Sequence, residues 1–226
     1  MAHATALEMF RASQSFPVTG WTMVHAVDTD IRKYAVYMRD DDMMIGFYQT
    51  KGDLWPPSED WITDGKFWKH SAKSGNQTIR VEEGFYSEYV MDKEDLYIQI
   101  ETHKPHRVFI GAFSQGATHG TLLFQDLLRE KAYLEVHAVC AGSPRVMSHK
   151  SARLFDRLLE GRTDCTFLRV WLRGDPVRHL PPSILDYRHV GQPVPLRFHG
   201  TPWWVIYDPT VHNSLKYEHT LGESGL

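Results

Sequence analysis

Ser114 is the residue in this sequence whose setting most invites chemistry. It ends the run Val108-Phe-Ile-Gly-Ala-Phe-Ser114 and is followed by Gln-Gly-Ala117. A β-branched and aromatic strand therefore enters a small-x-Ser-x-Gly turn directly, and Gly116 to Lys131 reads as a helix with Leu123, Leu127 and Leu128 as apolar anchors. A serine on so sharp a strand-to-helix turn needs small neighbours, and Ala112 and Gly116 supply them. The turn also sets Ser114 at a helix N-terminus, where the helix dipole and the N–H of Gln115 can face a developing oxyanion. Such a serine is equipped to attack a carbonyl carbon. The plain competing reading is a serine that only caps the helix. A bare small-x-Ser-x-Gly is common by chance, and its place between strand and helix, together with the partner residues below, separates the two readings.

A nucleophilic serine needs a base, and the base needs an acid to hold it. In strand–turn–helix hydrolases these follow in the chain order Ser, Asp or Glu, His. Asp175 leaves the strand Phe167 to Leu172 through Arg173-Gly174, and Pro176 stiffens its loop. A carboxylate at the C-terminal end of a parallel strand faces the place where such sheets build their sites. The plain competing reading is an Asp-Pro turn. Five histidines follow: His179, His189, His199, His212 and His219. His212 comes after the proline-containing loop Tyr207-Asp-Pro-Thr210 and opens a helical stretch, so it is the expected base, with His189 second. A metal is not expected. There is no His-Glu-x-x-His or Cys-x-x-Cys spacing, and His103 and His106 lie across Pro105, a poor ligand pair. No cofactor is implied.

The elements that must hold these residues can be read outward from Ser114. His106 to Phe113, Leu134 to Ala141 and Phe167 to Leu172 read as strands. The helix from Gly116 and one from Ser148 to Glu160 alternate with them, the latter with Leu154, Phe155, Leu158 and Leu159 inward and Gly161 as its cap. Strand–helix alternation implies right-handed crossovers and a parallel central sheet, an α/β architecture. Upstream, residues 5–13 read as a short helix. Tyr34 to Met38 and Met43 to Tyr48 read as strands that add antiparallel edges. Lys73 to Gln77 is a polar turn, and Glu82 to His103 is helical with Phe85, Tyr89, Leu96 and Ile100 on one side and a possible break at Asp92. Residues 51–66 mix Gly and Pro with tryptophan, which suggests a structured excursion.

Composition bounds the rest. The 226 residues, 42% hydrophobic and 23% charged, suffice for one sizeable core and argue against disorder. A formal net charge of -3 without basic runs does not favour a nucleic-acid partner. Two cysteines, Cys140 and Cys165, impose no disulfide framework. The first residues lack a basic region followed by an apolar run, so a cytoplasmic protein is expected.

Eight short segments, in order, resemble the class 3 (fungal-type) lipase family. Phe47-Tyr-Gln-Thr50 resembles its Phe-Arg-Gly-Thr oxyanion segment, and Ser58-Glu-Asp-Trp-Ile-Thr-Asp64 resembles the Asp-Trp segment of its lid. Gly84-Phe85 resembles the pair that opens the helix before the serine, and Phe113-Ser-Gln-Gly-Ala117 resembles His-Ser-Leu-Gly-Gly. Gly142-Ser-Pro-Arg-Val146, Asp175-Pro-Val-Arg-His-Leu-Pro-Pro182, Tyr187-Arg-His-Val-Gly191 and His212-Asn-Ser-Leu-Lys-Tyr217 resemble the family's later segments. The resemblance implies one α/β-hydrolase domain over residues 1–226 with a mostly parallel central sheet flanked by helices, and a lid at 53–64. It implies a triad of Ser114, Asp175 and His212, with Thr50 and Gln115 as oxyanion donors. Trp55, Trp61 and Ile62 would form the apolar face of the lid. The implied activity is ester hydrolysis on a lipid or other lipophilic ester through an acyl-enzyme, with transient contact at a membrane or lipid-droplet surface. Two other readings share the fold: an acyl hydrolase acting on thioesters or peptides, and a binding protein without catalysis. Three departures bear on the oxyanion pocket and substrate range: Gln49 and Ala112 stand where the family has glycine, and Phe113 where it has histidine.

Overall fold

The computed structural model describes residues 4–14, 17–29, 32–48, 68–198 and 209–225. Its centre is a seven-stranded sheet in the order β1-β2-β3-β6-β7-β9-β11. These strands are β1 (Thr22–Asp28), β2 (Lys33–Arg39), β3 (Asp42–Phe47), β6 (Arg107–Phe113), β7 (Glu135–Ala141), β9 (Thr166–Leu172) and β11 (Gln192–Leu196). From β3 to β11 every pairing is parallel, while β1 and β2 form an antiparallel flank. A second, antiparallel sheet joins β4 (Lys69–Ser74), β5 (Gln77–Glu82), β8 (Met147–Ser148) and β10 (Tyr187–Arg188).

Two hydrophobic layers cover the central sheet. On one face α2 (Glu83–His103), α3 (Gly116–Glu130) and α4 (His149–Glu160) close over Val108, Ile110, Phe124, Phe155 and Phe167. On the other, α1 (Ala6–Ala12) and α5 (Ser214–Ser224) pack over Phe109, Phe113, Val139 and Val170. The sheet admits α1 at very short range because Gly46 and Gly111 are register partners on β3 and β6. A Cβ at Gly111 would sit 1.6 Å from the Met9 carbonyl oxygen, and one at Gly46 would sit 2.1 Å from that of Ala12. The two glycines thus make a hollow for the helix backbone. Among the described residues no helix is long and apolar enough to cross a membrane.

Several sequence expectations are corrected. β1 was not anticipated, because its residues alternate between exposed and half-buried positions without a buried face. β11 was hidden by Pro193 and Pro195, which an edge strand tolerates because one of its sides has no ladder to complete. The turn at Gly75 joins two strands that also escaped notice. α2 runs unbroken through Asp92. In α4 only Phe155 of the four named apolar residues is fully buried. Gly161 does cap that helix, but in a right-handed conformation open to any residue. Cys140 and Cys165 are both buried free thiols, and burial pushes the Cys140 thiol up to about 12.

Candidate active site

β6 ends at Phe113, and the next residue reverses the chain into α3. Ser114 makes this turn at φ +55°, a left-handed conformation that non-glycine residues seldom adopt. Its N–H donates to the Ala141 carbonyl at 3.0 Å, tying the turn to the end of β7. Gly116 is required here by packing. A Cβ would lie 2.7 Å from the Phe47 carbonyl oxygen, so the end of β3 rests directly on the first turn of α3. Ala112 fits where the resembled family has glycine because Gly120 faces it. A Cβ at position 120 would meet the Ala112 methyl at 2.9 Å.

Ser114 Oγ lies 2.7 Å from His212 Nε2, and His212 Nδ1 lies 2.9 Å from Asp175 Oδ2. The structure therefore brings the three sequence-predicted residues into one hydrogen-bonded line. A carboxylate can only accept, so Nδ1 carries the ring proton and Nε2 is left to accept from the serine. Asp175 is fully buried, and its other oxygen accepts the Val177 N–H at 2.8 Å. The imidazole stacks on Phe113 at 5.0 Å between centroids and 15° between planes. That gives the departure at position 113 a task as the floor on which the histidine ring rests. Gly142, at φ +57°, lies against the edge of the stacked pair. A Cβ there would come within 3.0 Å of His212 Cε1 and 3.3 Å of Asp175 Oδ2.

Sequence reasoning assigned no role to Tyr217, yet its hydroxyl donates to Asp175 Oδ2 at 2.5 Å and accepts the Leu172 N–H at 3.0 Å. Its place in the His-x-x-x-x-Tyr segment was the available signal. Burial, followed by the neighbouring Asp175, holds the phenol well above its ordinary pKa, so it remains a donor.

Gln115 occupies the N-cap position of α3. Its side-chain amide donates to Glu88 Oε2 at 2.6 Å. The other expected oxyanion residue, Thr50, and the expected lid residues Trp55, Trp61 and Ile62 lie outside the described residues, as does His199. His189, the second candidate for the base, is not in the site. Its Nε2 donates to the Arg178 carbonyl at 2.8 Å, bracing the loop that carries Asp175. His219 is exposed beside Glu223, and His179 is exposed as well. Among the described residues no cluster of His, Cys, Asp or Glu is arranged to hold a metal ion.

Comparison with known proteins gives the family and the fold. The sequence matches the family Lipase (class 3) over residues 56–184, more than half of the chain. The fold is similar to that of lipase II from Rhizopus niveus, with a TM-score of 0.67 at 18% identity over 93% of this chain and 86% of that one. It is equally similar to the Rhizomucor miehei triacylglyceride lipase, with a TM-score of 0.67 at 19% identity over 84% and 77%. Against the Rhizomucor miehei lipase propeptide complex the TM-score is 0.64 at 20% identity over 78% of this chain, which spans 57% of that one. No curated protein matches the sequence. The chain has the α/β-hydrolase fold and belongs to the class 3 lipase family.

Proposed function

We propose that this protein is a serine ester hydrolase in which Ser114, His212 and Asp175 form the catalytic triad. The observation that carries the reading is the unbroken line from Ser114 Oγ through His212 to the buried Asp175, with bonds of 2.7 and 2.9 Å. His212 Nε2 takes the Ser114 proton as Oγ attacks the ester carbonyl carbon. Asp175 keeps the imidazole in the competent tautomer and stabilises the imidazolium that forms. The carbonyl oxygen becomes an oxyanion held by the backbone N–H groups of Gln115 and Thr50, with the Thr50 hydroxyl as a third donor. Collapse of the tetrahedral intermediate breaks the ester C–O bond, and His212 gives its proton to the departing alcohol. Water, activated by the same imidazole, then attacks the acyl-enzyme and releases the carboxylic acid.

A lipophilic ester is the substrate class we favour, on a lid at residues 53–64. Trp55, Trp61 and Ile62 stand there among Gly52, Pro56, Pro57 and Gly65, directly after Thr50. Such a segment can cover the pocket in water and turn its apolar face to a lipid surface, gaining about 25 cal/mol per Å² buried. Activity is then expected to jump when substrate passes its solubility limit, and Trp61→Ser to flatten the jump. A hyperbolic rate curve through that limit would rule the lid out.

The nucleophile is tested with a fluorophosphonate probe. It should label Ser114, and Ser114→Ala should abolish labelling and lower turnover by about 10⁴ or more. Labelling that survives the substitution would overturn the assignment.

A further inference from the structure

Beside the triad, four residues on two helices form a second line of contacts that ends at the nucleophile turn. Glu88 and Asp92 are one turn apart on α2, and Gln115 and His119 are four residues apart at the start of α3, so each pair presents one face. Gln115 Nε2 donates to Glu88 Oε2 at 2.6 Å. The same oxygen lies 3.4 Å from His119 Nε2, and His119 Nδ1 lies 3.3 Å from Asp92 Oδ2. At these lengths the two histidine contacts are ion pairs rather than well-aligned hydrogen bonds. Asp92 Oδ1 accepts from Arg32 Nε at 2.7 Å. Asp92 is fully buried, and the His119 ring is held between Phe47 and Tyr89, with centroids 5.8 and 6.5 Å away. Charges thus alternate from Arg32 through Asp92 and His119 to Glu88. Burial alone would depress the His119 pKa, but Asp92 and Glu88 outweigh it and raise it, which favours the imidazolium this alternation needs.

We propose that Glu88, anchored by His119, is a positioning residue for Gln115 and so sets the direction of the Gln115 backbone N–H at the oxyanion. The inference rests on the reading of Ser114 and Gln115 given above. Gln115 directly follows Ser114, whose φ of +55° is held only by its surroundings. It also precedes Gly116, which has no side chain to anchor this stretch of backbone. The peptide that carries the Gln115 N–H is held at its Ser114 carbonyl by the Ala117 N–H at 3.1 Å, and the Gln115 side chain adds an anchor from its far end. A hydrogen bond to a carboxylate is strong enough to do this, and oxyanion donors lose their value when displaced by a fraction of an ångström. Glu88 touches no reacting atom and acts only through Gln115.

The test is steady-state hydrolysis of the soluble ester p-nitrophenyl butyrate by the intact chain, with Ser114→Ala as the blank. Glu88→Ala and Gln115→Ala should each lower kcat about tenfold and leave KM within about twofold, because the donor acts on the transition state. The double variant should be no slower than either single one, since both cut the same tether. Glu88→Gln, whose amide oxygen can still accept from Gln115, should regain most of the loss. Additive losses in the double variant, an unchanged kcat, or a change confined to KM would each overturn the proposal. If Glu88→Ala does not fold, Gln115→Ala decides alone, because it leaves the Glu88, His119 and Asp92 group whole. Wild-type turnover that does not depend on Ser114 would overturn the nucleophile reading and this proposal with it. Ser114-dependent turnover untouched by these variants would overturn this proposal only.

Discussion

Tyr217 Oη and His212 Nδ1 converge on one oxygen of Asp175, at 2.5 and 2.9 Å. With the Val177 N–H on the other oxygen, the buried carboxylate has three donors and a single orientation. The tyrosine hydroxyl also serves the Leu172 N–H at the end of β9, so one group fixes both the acid and the strand that delivers it. Tyr217→Phe removes both bonds and leaves a buried N–H without an acceptor. We expect a loss of about 1–3 kcal/mol in urea unfolding and a roughly tenfold fall in kcat, with fluorophosphonate labelling slowed but retained. Wild-type kcat in the variant would show that His212 and Val177 alone suffice to orient Asp175.

Gly142 and Gly20 offer a controlled comparison. Both have positive φ, +57° and +79°, so alanine strains the backbone at either position by about 1 kcal/mol. At Gly20 the new methyl meets nothing within 4 Å, whereas at Gly142 it presses on His212, Phe113 and Asp175. Gly20→Ala should therefore cost stability and leave turnover intact. Gly142→Ala should cost comparable stability and also lower kcat, by about 10² if His212 moves by an ångström. Measuring melting temperature and kcat on both variants separates strain from displacement. Equal turnover in the two would mean that the imidazole is not held from the Gly142 side.

These relationships show which parts of the site were legible in the sequence. The serine turn was legible because its steric demand falls on residue types, and Gly116 and Ala112 announce it. The acid and base were legible through chain order and the strand before Asp175. The choice of His212 over His189 needed loop context, and in space the two histidines have distinct partners. Glu88 and His119 were not legible as a pair. Each is an ordinary polar residue on its own helix, and only the packing of α2 on α3 makes them meet. The break considered near Asp92 is absent for the same reason. A polar residue on an apolar helix face looks like an interruption until Arg32 and His119 are found beside it.

The fold divides in the same way. Parallel strands buried on both faces, such as β6 and β7, read as apolar runs. The flanking strands β1 and β11 lie at the sheet edges, where half-exposed residues and prolines erase the pattern. The small second sheet is built partly from two-residue strands, too short for any periodicity to register.

His189 should impose a pH dependence on stability that is independent of the chemistry. Burial, and after it the nearby Arg169, push its pKa from the ordinary 6.5 down to about 3. The geometry agrees: Nε2–H donates to the Arg178 carbonyl, and Nδ1 is buried with no hydrogen-bond partner for a second proton. The folded protein therefore holds this ring neutral. The unfolded chain takes up a proton as pH falls below about 6.5, while the folded chain resists until about 3. The stabilisation is thus fully present above 6.5 and is lost progressively as pH falls toward 3, at up to about 1.4 kcal/mol per pH unit for this one group. Carboxylates contribute to acid unfolding as well, so the informative quantity is a difference. His189→Gln keeps an amide donor for Arg178 and removes the titration. Its urea midpoint should lie below the wild-type value near pH 8, and the gap should narrow or reverse by pH 5. His119 cannot mimic this. Its raised pKa gives support to folding that is full below 6.5 and is lost as pH rises through the folded value, the opposite direction of change. Parallel curves for wild type and His189→Gln between pH 8 and 5 would show that His189 takes up its proton equally well in the folded protein, and that the brace beneath the Asp175 loop does not depend on a neutral ring.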